Sequence, residues 1–343
     1  MILVSGCGFG ASRIRNDRND YNQAIQQTNS EQLLLNLVRL KYRDTPFFME
    51  VSSVAAQFTY TATGNASASV PESAASVFGF GAGGTVQEKP TVTFAPLQGE
   101  KFIQRVLSPI SLETISLLYH SGWRMDRLFS LCLDRLNDIK NAPNATGPTP
   151  TRAPQYQEFA SAVHTLNEIN ERDWMELDFH QKNGIPSLVI QFEKEVLEGP
   201  RIKKLSRLLG VAPQSGKYYL APTVDPYYIR IETRSLLGIM YYLSQGIDVP
   251  EEHQEQGKVT QTRNDQGSSF DWKTVTGDLL RIRSASSRPE TASVAIRHRG
   301  YWFYVDDSDL SSKSTFSLLS QIFSLQAGKV SSTAPLLTLP IGQ

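Results

Sequence analysis

The feature that most constrains this chain is an alternation of apolar and polar residues that runs from position 56 to position 70. Even positions carry alanine, phenylalanine, tyrosine, glycine or valine, whereas odd positions carry glutamine, threonine, asparagine or serine. Side chains of a β-strand alternate between its two faces. The pattern therefore predicts a long strand with one apolar face and one face rich in hydroxyl and amide groups.

A second strand is predicted to return alongside the first. Pro71 favours a turn, and pairing centred near Ser73 would place Phe80 opposite Ala66. Even positions then meet even positions, so both strands contribute to one apolar face. The even positions of the return strand are Phe78, Phe80, Ala82, Gly84 and Val86.

The two faces of this hairpin fit the two environments of a transmembrane barrel. One face of such a strand contacts lipid through an apolar band about 25 Å tall that is flanked by aromatic girdles. The other face lines a water-filled lumen. The predicted membrane-facing residues are Phe58, Tyr60, Ala62, Ala66, Ala68, Val70, Phe78, Phe80, Ala82 and Val86. The predicted lumen-facing residues are Gln57, Thr59, Thr61, Thr63, Asn65, Ser67 and Ser69.

A single hairpin cannot cross a bilayer alone. Its two outer edges would leave backbone N–H and C=O groups unpaired in hydrocarbon, at a cost of several kcal/mol each. Copies of the hairpin must therefore pair edge to edge. We expect a ring of identical subunits, each giving two strands to one shared barrel whose lumen widens with subunit number.

The start of the chain carries a second signal. Val4-Ser5-Gly6-Cys7 resembles the lipobox of bacterial lipoproteins. The resemblance implies cleavage before Cys7, diacylglycerol on its thiol, and residues 1–6 as the remnant of a signal peptide, of whose apolar region only Met1 to Val4 remain. Gly8 follows the cysteine where an aspartate would signal retention in the inner membrane, which favours the outer membrane.

The lipobox and the hairpin at 54–94 together resemble the lipid-anchored curli secretion channel and the hairpin-donating pore-forming toxins. The resemblance implies a lipid-anchored, oligomeric outer-membrane channel or secretion-complex component that faces the periplasm. Its partners would be further copies, outer-membrane lipid and other envelope-complex proteins. Two other interpretations stay open: a β arm that packs on a neighbouring subunit of a periplasmic lipoprotein scaffold or assembly factor, and a flexible Ala/Ser/Gly-rich loop.

The rest of the chain predicts an α+β fold. The expected order is a lipid anchor and linker over 7–27, a helical region over 28–140 that contains the hairpin, a Pro/Asn/Thr-rich linker over 141–154 and an α+β domain over 155–343. Thr28 followed by Glu31 is a capping-box pattern that predicts the start of the first helix.

Further elements are predicted from periodicity. Two short helices should be separated by Pro109, and a third should cover 124–139 with Cys132 as a buried core thiol. Strands are expected in "IPSLVIQFE", "YYIRIET", "GDLLRIRSA", "ASVAIRHRG", "YWFYVDD" and "APLLTLPIG".

The residues that could act in catalysis or bind a metal form no recognisable motif. The charges of the 34 basic and 34 acidic residues cancel, so the net charge does not indicate binding to nucleic acid. Neither HExxH nor GxSxG occurs, the two cysteines cannot form an ordinary zinc cluster, and no metal, cofactor or enzymatic activity is expected. Asp306, Asp307 and Asp309 could bind calcium, but a helix cap by Asp309 or Ser311 is the simpler interpretation. The histidines are His120, His164, His180, His253 and His298.

Overall fold

The computed structural model describes residues 9–69, 77–97 and 99–327. These residues form two compact units: residues 48–97 make one, and the described residues on either side make the other. The helices are α1 (Phe9–Lys41), α2 (Glu100–Leu107), α3 (Leu112–His120), α4 (Met125–Cys132), α5 (Gln157–Asn170), α6 (Pro200–Leu209), α7 (Leu236–Ser244), α8 (Glu251–Glu255), α9 (Lys273–Thr276) and α10 (Leu310–Ala327). The strands are β1 (Met49–Ser69), β2 (Val77–Pro96), β3 (Leu133–Leu136), β4 (Ile139–Lys140), β5 (Met175–Lys182), β6 (Ile185–Phe192), β7 (Lys217–Ala221), β8 (Ile229–Thr233), β9 (Arg283–Ala285), β10 (Ala292–His298) and β11 (Tyr301–Asp306).

The larger unit contains two sheets and most of the helices. Six strands pair in the order β4-β3-β8-β7-β6-β5, and β7 and β8 are its parallel neighbours. Three strands pair in the order β10-β11-β9, all antiparallel. Helices and strands are thus mixed along the chain, which confirms the α+β class. Among the described residues, no helix combines the length and the apolar character needed to span a bilayer.

The last turns of α1 belong to the core of this unit. Leu34, Leu37 and Val38 are fully buried, and the helix packs against β10 and α7. The helical spacing of these residues is what the sequence predicted. Burial of three such side chains contributes roughly 1.5–3 kcal/mol each, so this end of α1 is firmly held.

The start of α1 differs from the prediction. The described helix already covers Phe9, well before the expected cap at Thr28. The Thr28 hydroxyl instead donates back to the carbonyl of Ala24 (2.9 Å), and Glu31 accepts a hydrogen bond from Gln27 (2.9 Å). Both groups thus make bonds within a continuing helix, so the capping-box interpretation is wrong.

The helix predicted over 124–139 is also wrong in its second half. It ends at Cys132, and the chain turns back between β3 and β4 at Asn137, whose φ is 49°. The side chain of Asn137 donates to Leu209 O (2.8 Å) and accepts from Arg230 N–H (2.8 Å). Pairing of β3 with β8 therefore overrides a local pattern that suits a helix. Cys132 is fully buried, as predicted.

Most other predicted elements in the described part of the chain are present. Pro109 separates α2 from α3. The strand expected over 277–285 is wrong in its first part, since β9 covers only Arg283–Ala285. Arg299 and Gly300, both with positive φ, form the two-residue turn between β10 and β11, as a tight hairpin requires. The expected strand at 334–342 lies outside the described residues.

Arg234 joins four segments of the larger unit. It is 1% exposed and donates to the carbonyls of Ser130 (2.9 Å), Leu131 (3.2 Å) and Asn141. Its guanidinium also lies 4.0 Å from the ring centre of Tyr242. Asn141 belongs to the stretch predicted as a linker, yet it is buried and the stretch lies in the same compact unit as its neighbours on both sides.

Candidate functional site

The hairpin of β1 and β2 has the register that the sequence predicted. Ala66 pairs with Phe80, Ala68 with Phe78, and Tyr60 with Val86. The strands stay in this register from Ser53 to Ser69 without interruption. The predicted site residues 57–69 therefore lie in β1 and 78–86 in β2, whereas Val70 and Cys7 lie outside the described residues.

This register brings the apolar positions of both strands onto one face. Paired residues of an antiparallel ribbon share a face, so each even position of β1 meets an even position of β2. Between the levels of Tyr60 and Ala68, the even pairs contain only alanine, glycine, valine, tyrosine and phenylalanine. The odd pairs between these levels, which begin with Thr61–Thr85, contain only threonine, asparagine, serine and glycine.

A charged residue marks the lower end of the apolar face. Glu88 is the register partner of Phe58, so its position lies on the apolar face one level below the pair Tyr60–Val86. A carboxylate does not belong in hydrocarbon. The face is therefore uniformly apolar only over nine residues of β1, from 60 to 68, which equals the shortest barrel strand that spans a bilayer, about 9–11 tilted residues.

The strands continue well below that level. β1 has 21 residues and β2 has 20, and 21 residues extend roughly 70 Å at about 3.3 Å per residue. Pro90 and a one-residue register shift between Val51 and Ser53 both fall in this lower part. Proline removes a ladder donor and a bulge interrupts regular pairing, so the ladder is regular from Gln57 to Ser69 and irregular only in the lower part.

The two ends of the hairpin meet. Leu97 N–H donates to the carbonyl of Phe48 (2.9 Å). In the larger unit, the buried Asn36 side chain donates to Phe47 O (2.8 Å) and accepts from Phe47 N–H (2.9 Å). The residue that precedes the hairpin is thus held at both backbone groups by the last part of α1.

An aromatic and histidine cluster in the larger unit surrounds Tyr42, the residue that follows α1. The Tyr42 hydroxyl lies 2.7 Å from His253 Nδ1, and its ring meets the edge of His298 at a centroid distance of 5.4 Å. Asp44 accepts from Arg299 (2.8 Å) and lies 3.3 Å from His298 Nε2. We call these five residues of the larger unit the root cluster, and they hold residues 42–44 at the end of α1.

Burial governs the ionisation of the root cluster. Desolvation raises the pKa of Tyr42 to about 12, so its hydroxyl stays protonated at neutral pH. Desolvation also lowers the pKa of His253, with Lys258 adding to the effect, and lowers that of His298 against the opposing pull of Asp44. Both imidazoles are therefore neutral at pH 7.

This ionisation predicts a loss of stability in acid. Below the ordinary histidine pKa of about 6.5, the unfolded chain binds protons that the folded root cluster excludes. The free energy of unfolding should therefore fall as the pH decreases from about 6.5, and the stabilisation is fully present above that value. Thermal unfolding at stepped pH measures the effect.

A double variant isolates these two histidines. His253→Gln with His298→Gln should flatten the pH dependence between about pH 5 and 6.5. His164→Gln is the matched control, because that side chain is 70% exposed. An unchanged slope in the double variant would contradict the assignment.

The remaining candidates for chemistry stay apart. Asp309 caps α10 by accepting from Ser312 N–H (3.0 Å), which confirms the cap. Asp306 accepts from Ser308 (2.6 Å), and Asp307 pairs with Lys313 (2.6 Å). Within the described residues, no three His, Cys, Asp or Glu side chains are placed to share a metal ion.

The other predicted residues have structural surroundings. Desolvation raises the pKa of the buried Cys132 thiol to about 12, so it is not a reactive thiolate at neutral pH. His120 and His164 are exposed beside Asp178 (3.8 Å) and Glu168 (3.7 Å).

Sequence reasoning missed the root cluster. Tyr42 and His253 are 211 positions apart, and neither belongs to a spaced motif. A weak hint was the polar pair Tyr42 and Asp44 directly after an apolar helix. No protein-family model, curated protein or solved structure matches the chain.

Proposed function

We propose that this chain is a subunit of a lipid-anchored, oligomeric outer-membrane channel or secretion complex. Each copy gives β1 and β2 to one shared transmembrane β-barrel, and acylated Cys7 anchors the chain on the periplasmic side. The partners are further copies of the chain, outer-membrane lipid and other proteins of the envelope complex. No catalytic step is part of this proposal.

The single observation that supports it most is the register of the hairpin. A shift of one residue would move every side chain of one strand to the other face. The observed register instead superposes the apolar positions of both strands from the pair Tyr60–Val86 to the pair Ala68–Phe78. A uniform face of this kind, opposite a hydroxyl-rich one, suits a wall between lipid and water.

The length of the strands adds a detail to the proposal. Only the outer part of the hairpin fits the bilayer, from the turn down to the level of Tyr60. The lower part, from Glu88 to Pro96 in β2, would continue the barrel into the periplasm.

Electron microscopy of detergent-extracted protein, produced from its complete gene in a Gram-negative host, tests the proposal. We expect rings with a detergent belt around a central barrel. A variant that lacks residues 56–86 keeps the larger unit and serves as the control; it should form no such rings. Monomers in detergent from the full chain would contradict the proposal.

A second function is supported by different observations. Glu88 lies opposite Phe58, and alanine and glycine dominate the middle of the apolar face. Both features lower the affinity for lipid and suit a hairpin that packs on a neighbouring copy in water. In this periplasmic scaffold or assembly factor, a Cys7→Ser variant would remain oligomeric without detergent. The channel subunit would need detergent even with that substitution.

A further inference from the structure

A polar pocket of about 390 Å³ lies in the larger unit, at the C-terminal end of α1. This volume is within the range of small-molecule sites, about 300–1,000 Å³. Its wall comes from the end of α1, the segment after α7, and residues 259–273. The charged residues that line it are Lys41, Asp248, Asp271 and Lys273.

Lys41 is the lysine of the lining whose charge is not paired. Its Nζ donates to the carbonyl of Gln245 (2.9 Å), and an ammonium has three donors. Among the side chains that the structure describes, no carboxylate oxygen lies within 4.0 Å of this nitrogen. Desolvation lowers its pKa to about 8, so the group is still mostly protonated at pH 7.

The other lysine of the pocket is already paired, whereas the second carboxylate accepts only a backbone hydrogen bond. Lys273 Nζ pairs with Asp248 (2.8 Å). Asp271 accepts from the backbone N–H of Lys273 (2.9 Å) at the start of α9. A ligand with two negative charges would meet the carboxylates of Asp248 and Asp271, whereas one negative charge matches the single free ammonium.

We infer that this pocket binds a small organic monocarboxylate, whose carboxylate pairs with Lys41. The side chains of Phe270 and Trp272 form an apolar part of the wall, which suits a short carbon chain. This site is separate from the hairpin and does not depend on the proposed channel function.

A purely structural role explains Lys41 less well. A cation at the end of a helix interacts favourably with the helix dipole, but an exposed lysine would do this without desolvation. A partly buried charge that no opposite charge compensates lowers stability, and an apolar side chain of similar length would avoid the cost. A bound carboxylate removes this cost, because it supplies the missing charge.

NMR of the full chain with ¹³C-methylated lysines tests the inference, with sodium butyrate as the probe. We expect a saturable shift of the Lys41 signal and a rise of its pKa with butyrate. Lys41→Met should lower butyrate affinity roughly 10- to 100-fold, as expected for a lost hydrogen bond to a charged group. Lys203→Met is the control, because that side chain is 64% exposed.

Two further measurements decide between outcomes. Lys41→Arg keeps the charge and should retain part of the binding, even if Lys41→Met folds poorly. Inorganic phosphate at equal ionic strength should bind more weakly than butyrate. A Lys41 pKa that butyrate does not move, binding that survives in a folded Lys41→Met variant, or stronger binding of phosphate would each overturn the inference.

Discussion

We expect an Ala62→Arg variant to be lost from the proposed detergent-extracted rings, whereas a Thr63→Arg variant should assemble. Ala62 pairs with Gly84, next to the pair Gly64–Ala82 at the middle of the uniform apolar face. An arginine that faces lipid near the bilayer midplane costs about 2–4 kcal/mol. Every subunit of the ring would bear that cost, so the effect on assembly is large.

Thr63 is the matched control for this experiment. It is the next residue along β1 and pairs with Gly83 on the polar face, where the lumen of the proposed barrel would provide water for the guanidinium. Heat-modifiable migration in gels and the amount of ring in the membrane fraction give the readout. Equal assembly of both variants would favour the arm that packs in water, and loss of Thr63→Arg alone would mean that the two faces are assigned the wrong way round.

The second large effect is expected at Arg234. Arg234→Ala removes the donors of three backbone carbonyls and the ion pair with Asp134, whose oxygen lies 3.5 Å from Nε. Breaking a buried pair on one side costs about 3–5 kcal/mol, a large share of the stability of an ordinary domain. Urea unfolding followed by circular dichroism measures the loss.

Two other arginine variants make the comparison specific. Arg230→Ala removes a half-exposed arginine that pairs with Glu232 (2.6 Å), and such surface pairs contribute about 0–1 kcal/mol. Arg234→Lys keeps the charge but cannot reproduce the planar set of donors, so it should also destabilise. A loss in Arg234→Ala no greater than that in Arg230→Ala would refute the central role of Arg234.

The hairpin was predictable because its pattern is local. Each strand alternates over many residues, so parity predicts that even positions meet even positions, and a centre of pairing near Ser73 gives the register. The register of Ala66 with Phe80 follows from the sequence in this way. In the turn between β10 and β11, Gly300 is a residue type that suits positive φ, whereas Arg299 adopts it without such a preference.

Other elements depend on distant partners. The residues of β3 continue the helical spacing of α4, and only pairing with β8, about one hundred positions later, makes them a strand. β5 was overlooked although Met175 and Leu177 alternate with polar residues, so that signal was present. Lys41 occupies a position on the apolar stripe of α1, but its pocket is built by residues more than two hundred positions away.

The hydrogen bond between Phe48 and Leu97 has an evolutionary consequence. A segment whose entry and exit points touch can be gained or lost without moving the chain that flanks it. The hairpin can therefore be inserted or deleted as one segment, and a short glycine-serine linker could replace it. Related chains that keep the larger unit but lack the hairpin would show what that unit does alone.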